Sequence, residues 1–73
     1  MEQCMSRLKI LGQNIKKYRE EAGLSQLKLA EALDFSPEYI CRVERGQKYI
    51  SLRKLFQLAD ILNVDFKKLA DFK

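Results

Sequence analysis

Leu8, Leu11, Ile15, Tyr18 and Ala22 recur at alternating intervals of three and four residues, with lysine, arginine and glutamate between them. That spacing predicts an amphipathic first helix. Residues 1–6 lack this periodicity and read as a frayed start, with Ser6 as a cap, while Gly23 predicts the stop. In a second pattern Leu29, Ala30 and Leu33 share one helical face behind a cap at Ser25. Leu24 precedes that cap as a hydrophobic staple, and Leu27 falls off the stripe, either exposed or against the first helix. A third helix opens on Ser36, takes Pro37 at its first position, where the missing N–H is harmless, and stops at Gly46. The fourth is capped by Ser51, carries Leu52, Leu55, Leu58, Ala59 and Leu62 as a core stripe, and closes at Asn63. Val64, Phe66, Leu69 and Phe72 supply a short fifth helix capped by Asp65. Phe56 and Ile61 flank the fourth stripe on opposite sides. They either widen the core or, with Phe66 and Phe72, offer a subunit interface.

The second and third patterns are separated only by Asp34, Phe35 and Ser36. Helices joined by so tight a turn must cross steeply, which predicts a helix-turn-helix. On a wheel of about 100° per residue, the third helix turns Ile40 and Val43 toward a core, with Tyr39 at the flank. Pro37, Glu38, Cys41, Arg42 and Arg45 spread over the opposite side, and Glu44 lies between the faces. A polar, cationic front suits a DNA major groove, but any amphipathic surface helix shares that geometry.

Charge placement narrows the reading. The whole formal excess of +4 resides between Arg42 and Lys54, where Arg42, Arg45, Lys48, Arg53 and Lys54 face only Glu44. A cluster that starts on the third helix and continues through the next loop favours a phosphate-tracking surface over a merely solvated face. Lys16 and Lys17 could reach the same backbone from the first helix. Gln26, in the first turn of the second helix, sits where free N–H groups favour an anion. Seventy-three residues imply one domain over 1–73. No apolar run nears the roughly 20 residues that span a bilayer, and no signal-peptide core opens the chain, so a cytoplasmic, nucleoid-associated protein is expected. With no histidine and only Cys4 and Cys41, there is neither a disulfide framework nor a metal ligand set, and no cofactor or small-molecule ligand is implied. Cys41 is either a packing or contact residue or a redox-sensitive thiol. No glycine-rich phosphate loop or nucleophile–base set is present, so an enzyme is not expected.

The run GLSQLKLAEALDFSPEYICRVERGQKYISLRKLFQLADILNVDFKKLADF resembles the phage-repressor (Cro/CI, or XRE) helix-turn-helix family. The resemblance spans Leu11 to about Leu69. Its strongest parts are Gly23 to Gln26, Leu29 and Ala30, Ser36, Ile40, Val43 to Gly46, and the later Leu55, Ala59, Leu62, Val64 and Leu69. It implies an all-α, five-helix bundle of the lambda-repressor-like type that binds palindromic double-stranded DNA as a homodimer. Position by position, it implies that Gln26 contacts phosphate and braces the recognition helix, about 36–45. Pro37, Glu38 and Arg42 would face base edges with Cys41 beside them, and Ser36, Arg45, Lys48 and Tyr49 would hold the sugar–phosphate backbone. Arg19 and Glu44 would form a partly buried ion pair, in keeping with the wheel position of Glu44. Two residues depart from the family's polar pattern. Pro37 offers only apolar contact, and Glu38 either accepts from cytosine N4 or steadies Arg42 four residues on, the second being preferred. The ERGQKYISL stretch is similar to restriction–modification controller proteins, with small phage-type repressors equally open. A protein-interaction module, such as an antitoxin or adaptor on the same fold, is the alternative from another class.

Overall fold

The computed structural model describes residues 2–72, and side chains from Arg7 onward. Along the chain run α1 (Glu2–Glu21), α2 (Gln26–Leu33), α3 (Pro37–Glu44), α4 (Leu52–Leu62) and α5 (Phe66–Leu69), and the described residues contain no strand. Local chemistry sets the boundaries. Ser25, Ser36 and Ser51 each accept a backbone N–H three residues on, at 3.0, 3.1 and 3.1 Å, and Asp65 accepts from Lys67 N at 3.1 Å. Four helices end in the same paired bond. Leu24, Phe35, Gln47 and Val64 donate back to Arg19, Ala30, Arg42 and Ala59, at 2.8–3.1 Å, while the residue before each donates to the next carbonyl. That motif needs a left-handed residue, found at Gly23, Asp34, Gly46 and Asn63, with φ of 74°, 61°, 76° and 56°.

Ile15, Leu29, Leu33, Ile40, Leu58 and Leu69 are the largest fully buried side chains, so every helix contributes to one core. α1 and α3 approach each other closely at Gly12. A Cβ at Gly12 would stand 2.4 Å from the Glu44 carbonyl oxygen and 2.5 Å from that of Val43. One at Gly46 would meet Lys9 at 2.7–2.9 Å. Two turns beyond Gly12 on the same face of α1 is Arg19, which the crossing therefore carries over Glu44. The far end of the chain is tied to α1 by Asn14, whose Nδ2 donates to the carbonyls of Leu69 and Asp71 at 3.0 and 2.8 Å.

Several expectations shift. The helix starts at Glu2, so the stretch read as a frayed start is helical from there and Ser6 lies within α1 instead of capping it. Ala22 is exposed, because α1 ends at Glu21 and the chain is already turning. Leu52, expected in the α4 stripe, is 60 % exposed: at the first position of α4 it projects beyond the core. Leu27 is exposed, and Leu24 packs against the core as a staple should. The fifth helix is a single turn, with Val64 before its cap and Phe72 beyond its end. No helix among the described residues is long and apolar enough to cross a membrane.

Candidate nucleic-acid interface

α3 is held from behind and at both ends, which leaves its front free. Ile40, Val43 and Glu44 are buried on the inner face. Glu44 is the anchor: Arg19 grips its carboxylate side-on, Nε to Oε2 at 2.6 Å and Nη2 to Oε1 at 3.1 Å. Gln26 Nε2 adds a third donor to Oε1 at 3.0 Å, and Arg19 Nη1 turns to the Leu24 carbonyl at 2.8 Å. The side chains of Arg19 and Glu44 are 9 % and 3 % exposed, so the pair stands well away from bulk water. Hydrogen bonding to Glu44 holds the Arg19 guanidinium above its ordinary pKa, with burial opposing and the attraction of Glu44 and Glu20 assisting. This network ties α1, the start of α2 and the end of α3 together. Its members occupy every polar atom they bury: among the described residues no buried side-chain nitrogen or oxygen lacks a partner.

The front of α3 carries Pro37, Glu38, Arg42 and Arg45, all exposed, with Cys41 half-buried at the edge. Arg42 Nη2 donates to Glu38 Oε2 at 2.8 Å, the pairing expected of an acid four residues before a base. Ser36 at the helix start and Lys48 and Tyr49 in the following loop are exposed on the flank, Tyr49 72 % so. The Tyr39 hydroxyl donates to the Tyr49 carbonyl and fastens that loop to α3. Ser36, Glu38, Tyr39, Arg42 and Lys48 line one open depression of about 240 Å³. A second, of about 250 Å³, gathers Lys16, Gln26, Cys41, Glu44 and Arg45, and so brings α1 onto the same face. Gln26 spends one N–H of its amide on Glu44 and keeps a second to offer.

Not all the expected cations share this surface. Lys54 turns inward: its Nζ donates to the Leu33 carbonyl at 2.8 Å and lies 5.1 Å from the centre of the Phe35 ring, completing the end of α2. Lys17 sits 5.2 Å over the Tyr18 ring. The four apolar interface candidates also divide. Phe56 packs on Phe66 with ring centroids 4.6 Å apart, and Phe72 is exposed near the chain's end. Ile61 is half-buried on the other flank of α4, where it lines a depression with Leu33, Asp34 and Lys54. The residue missed by sequence reasoning is Gly12. A glycine inside a strongly periodic helix is the signal that could have found it, since it marks a close backbone approach.

A family model described as helix-turn-helix matches residues 15–69. The chain belongs to that family. It is 40 % identical over 60 residues to the control protein C.SmaI of Serratia marcescens, covering 82 % of this chain and 71 % of that one. Among solved structures it is similar to the restriction–modification controller protein C.AhdI of Aeromonas hydrophila, with a TM-score of 0.78 at 35 % identity, over 85 % of this chain and 94 % of that one. The clp gene regulator ClgR of Corynebacterium glutamicum superposes with a TM-score of 0.80 at 30 % identity, over 84 % of this chain and 65 % of that one. The chain is accordingly a DNA-binding transcriptional regulator of the Cro/CI (XRE) type, a non-enzymatic class.

Proposed function

We propose that this regulator binds a two-fold-symmetric operator as a homodimer, with α3 of each copy in a major groove. The observation that carries this is the division of α3 itself: an inner edge locked through Glu44 and an outer edge presenting Pro37, Glu38, Arg42 and Arg45. Arg42 reads guanine through O6 and N7, and Pro37 offers contact to a thymine methyl, with Cys41 beside them. Ser36, Gln26, Arg45, Lys48 and Tyr49 grip the sugar–phosphate backbone, from which most of the affinity comes. The second copy docks on the aromatic surface of α4 and α5, centred on Phe56 and Phe66 with exposed Leu52 and Phe72 nearby in the chain. One copy measures 31 × 24 × 21 Å, so two side by side suit half-sites about 34 Å apart. Similarity to C.SmaI and C.AhdI supports control of restriction–modification genes as the setting.

Selection from a random duplex library at moderate salt, with sequencing of the bound pool, tests this reading. A two-fold motif with half-site centres one helical turn apart is the expected result. Binding without enrichment would leave a non-specific DNA protein. No binding at all would favour a protein-interaction module on the same fold.

A further inference from the structure

The charges on and around α3 fall into three grades of freedom. Arg19 is locked, with Nε, Nη1 and Nη2 all engaged by Glu44 and the Leu24 carbonyl. Arg45 and Lys48 are exposed and take part in no ion pair among the described residues. Arg42 lies between these extremes. Its side chain is 48 % exposed and it makes one contact, to Glu38, which is itself 72 % exposed. A solvated pair of this kind adds little to folding, so its value must be sought elsewhere. It is also a carboxylate placed on the surface that meets a polyanion.

We propose that Glu38 is a positioning residue, which holds Arg42 for base reading and keeps it off the phosphates; this rests on α3 entering the major groove as proposed above. An unpaired guanidinium on a flexible stem has two partners in a groove. A phosphate takes it bidentately and without regard to sequence, whereas guanine takes it only at one base pair. Here the competing phosphate is close at hand, because Lys48 and Ser36 border the same depression as Arg42 and Glu38. Pairing with Glu38 brings the local charge to zero and weakens the pull toward that phosphate. It uses one of the five N–H donors of Arg42 and leaves enough for a two-pronged contact with O6 and N7. Glu38 stands in the first turn of α3, where the helix N-terminus favours its negative charge.

The test compares wild type with Glu38→Ala, Glu38→Gln, Arg42→Ala and the Glu38→Ala/Arg42→Ala pair. Each is measured on the selected operator, on operators changed at single base pairs and on random duplex, over a range of salt. Both side chains are exposed, and unchanged thermal midpoints establish that the variants fold. Freed by Glu38→Ala, Arg42 should engage one more phosphate and steepen the salt slope on random duplex by about 0.9. Preference for guanine at the Arg42 position should fall about tenfold in the same variant. Glu38→Gln keeps an acceptor but not the charge, so it should steepen the slope as Glu38→Ala does while retaining part of the guanine preference, and the double variant should lose the steepening. Three outcomes overturn the proposal: Glu38→Ala leaving slope and preference unchanged, steepening that survives without Arg42, or lost preference for a neighbouring cytosine with guanine reading intact. The last would make Glu38 a direct reader. Wild type binding all sequences alike would instead defeat the operator reading itself, before any variant is compared.

Discussion

Glu44 shows how one buried carboxylate can fix a helix against its neighbours. It accepts from Arg19 twice and from Gln26 once, and its side chain is almost inaccessible to water. Glu44→Ala strands the guanidinium of Arg19 in that site and should destabilise the fold by about 3–5 kcal/mol, read as a lower urea midpoint at unchanged slope. Replacing both partners by apolar residues of similar volume should cost far less, because no charge is then left buried alone. The pH dependence follows from the raised pKa of Arg19. A raised basic pKa gives stability that is complete below the ordinary guanidinium value and is lost only as pH climbs through the higher folded one. Titration of Arg19 should therefore leave stability flat across the neutral range. Lys48 lies at the other extreme, exposed and outside any ion pair among the described residues. Lys48→Ala should weaken binding to every duplex alike and flatten the salt slope by about one unit.

Between helices the decisive feature is the α1–α3 crossing at Gly12. Alanine is the better helix former by about 0.8–1.0 kcal/mol, so propensity alone predicts that Gly12→Ala stabilises. The structure predicts the opposite, because a methyl there would meet two carbonyl oxygens of α3 inside 2.6 Å and backbone cannot swing aside as a flexible side chain would. Overpacking of this kind costs about 1–3 kcal/mol, and the thermal midpoint of Gly12→Ala should fall accordingly. Gly23→Ala makes the control. It has φ of 74° but nothing within 4 Å of the added Cβ, so it should lose only the about 1–2 kcal/mol of left-handed strain. Operator binding separates the two further. Shifting α1 displaces Arg19 and with it the inner edge of α3, whereas a strained turn after α1 leaves that contact in place.

For the whole molecule the proposed homodimer raises the question of how two copies of α3 would reach one face of the duplex. Phe56 is 48 % exposed and stacks on Phe66, a surface that is awkward in isolation and suitable against a second copy. Phe56→Lys should shift the monomer–dimer equilibrium by about 2 kcal/mol, roughly thirtyfold, in sedimentation equilibrium. Because the ring is half in water already, the variant monomer should keep its helical circular dichroism. Its binding to a single half-site should be preserved while cooperative binding to the full operator is lost. Both copies bind with unaltered α3 surfaces, so guanine preference within a half-site is expected to stay.

Helix existence, caps and the inward stripes of α2, α3 and most of α4 were legible along the chain, because serine caps, Gly46, Asn63 and periodic leucines act within a few residues of where they stand. So was the division of α3 into a buried back and a cationic front, whose proline and caps are local too. What local pattern left open were quantities that depend on what lies across the core. Periodicity placed Leu52 on the buried stripe, but only the packing of its neighbours determines that the stripe begins one turn later, at Leu55. Charge counting put Lys54 with the DNA-facing cations, yet the free carbonyl of Leu33, 21 residues away, draws it inward. Gly12 signals a close approach by standing inside a periodic helix, but what approaches it is decided only when α3 lies there. The chain alone thus specified which helices form and which face of α3 turns inward, since both rest on contacts within a turn or two. Packing between distant helices decided which charges are free to meet DNA, because a side chain's partners, and so its charge, are settled by neighbours that sequence spacing does not reveal.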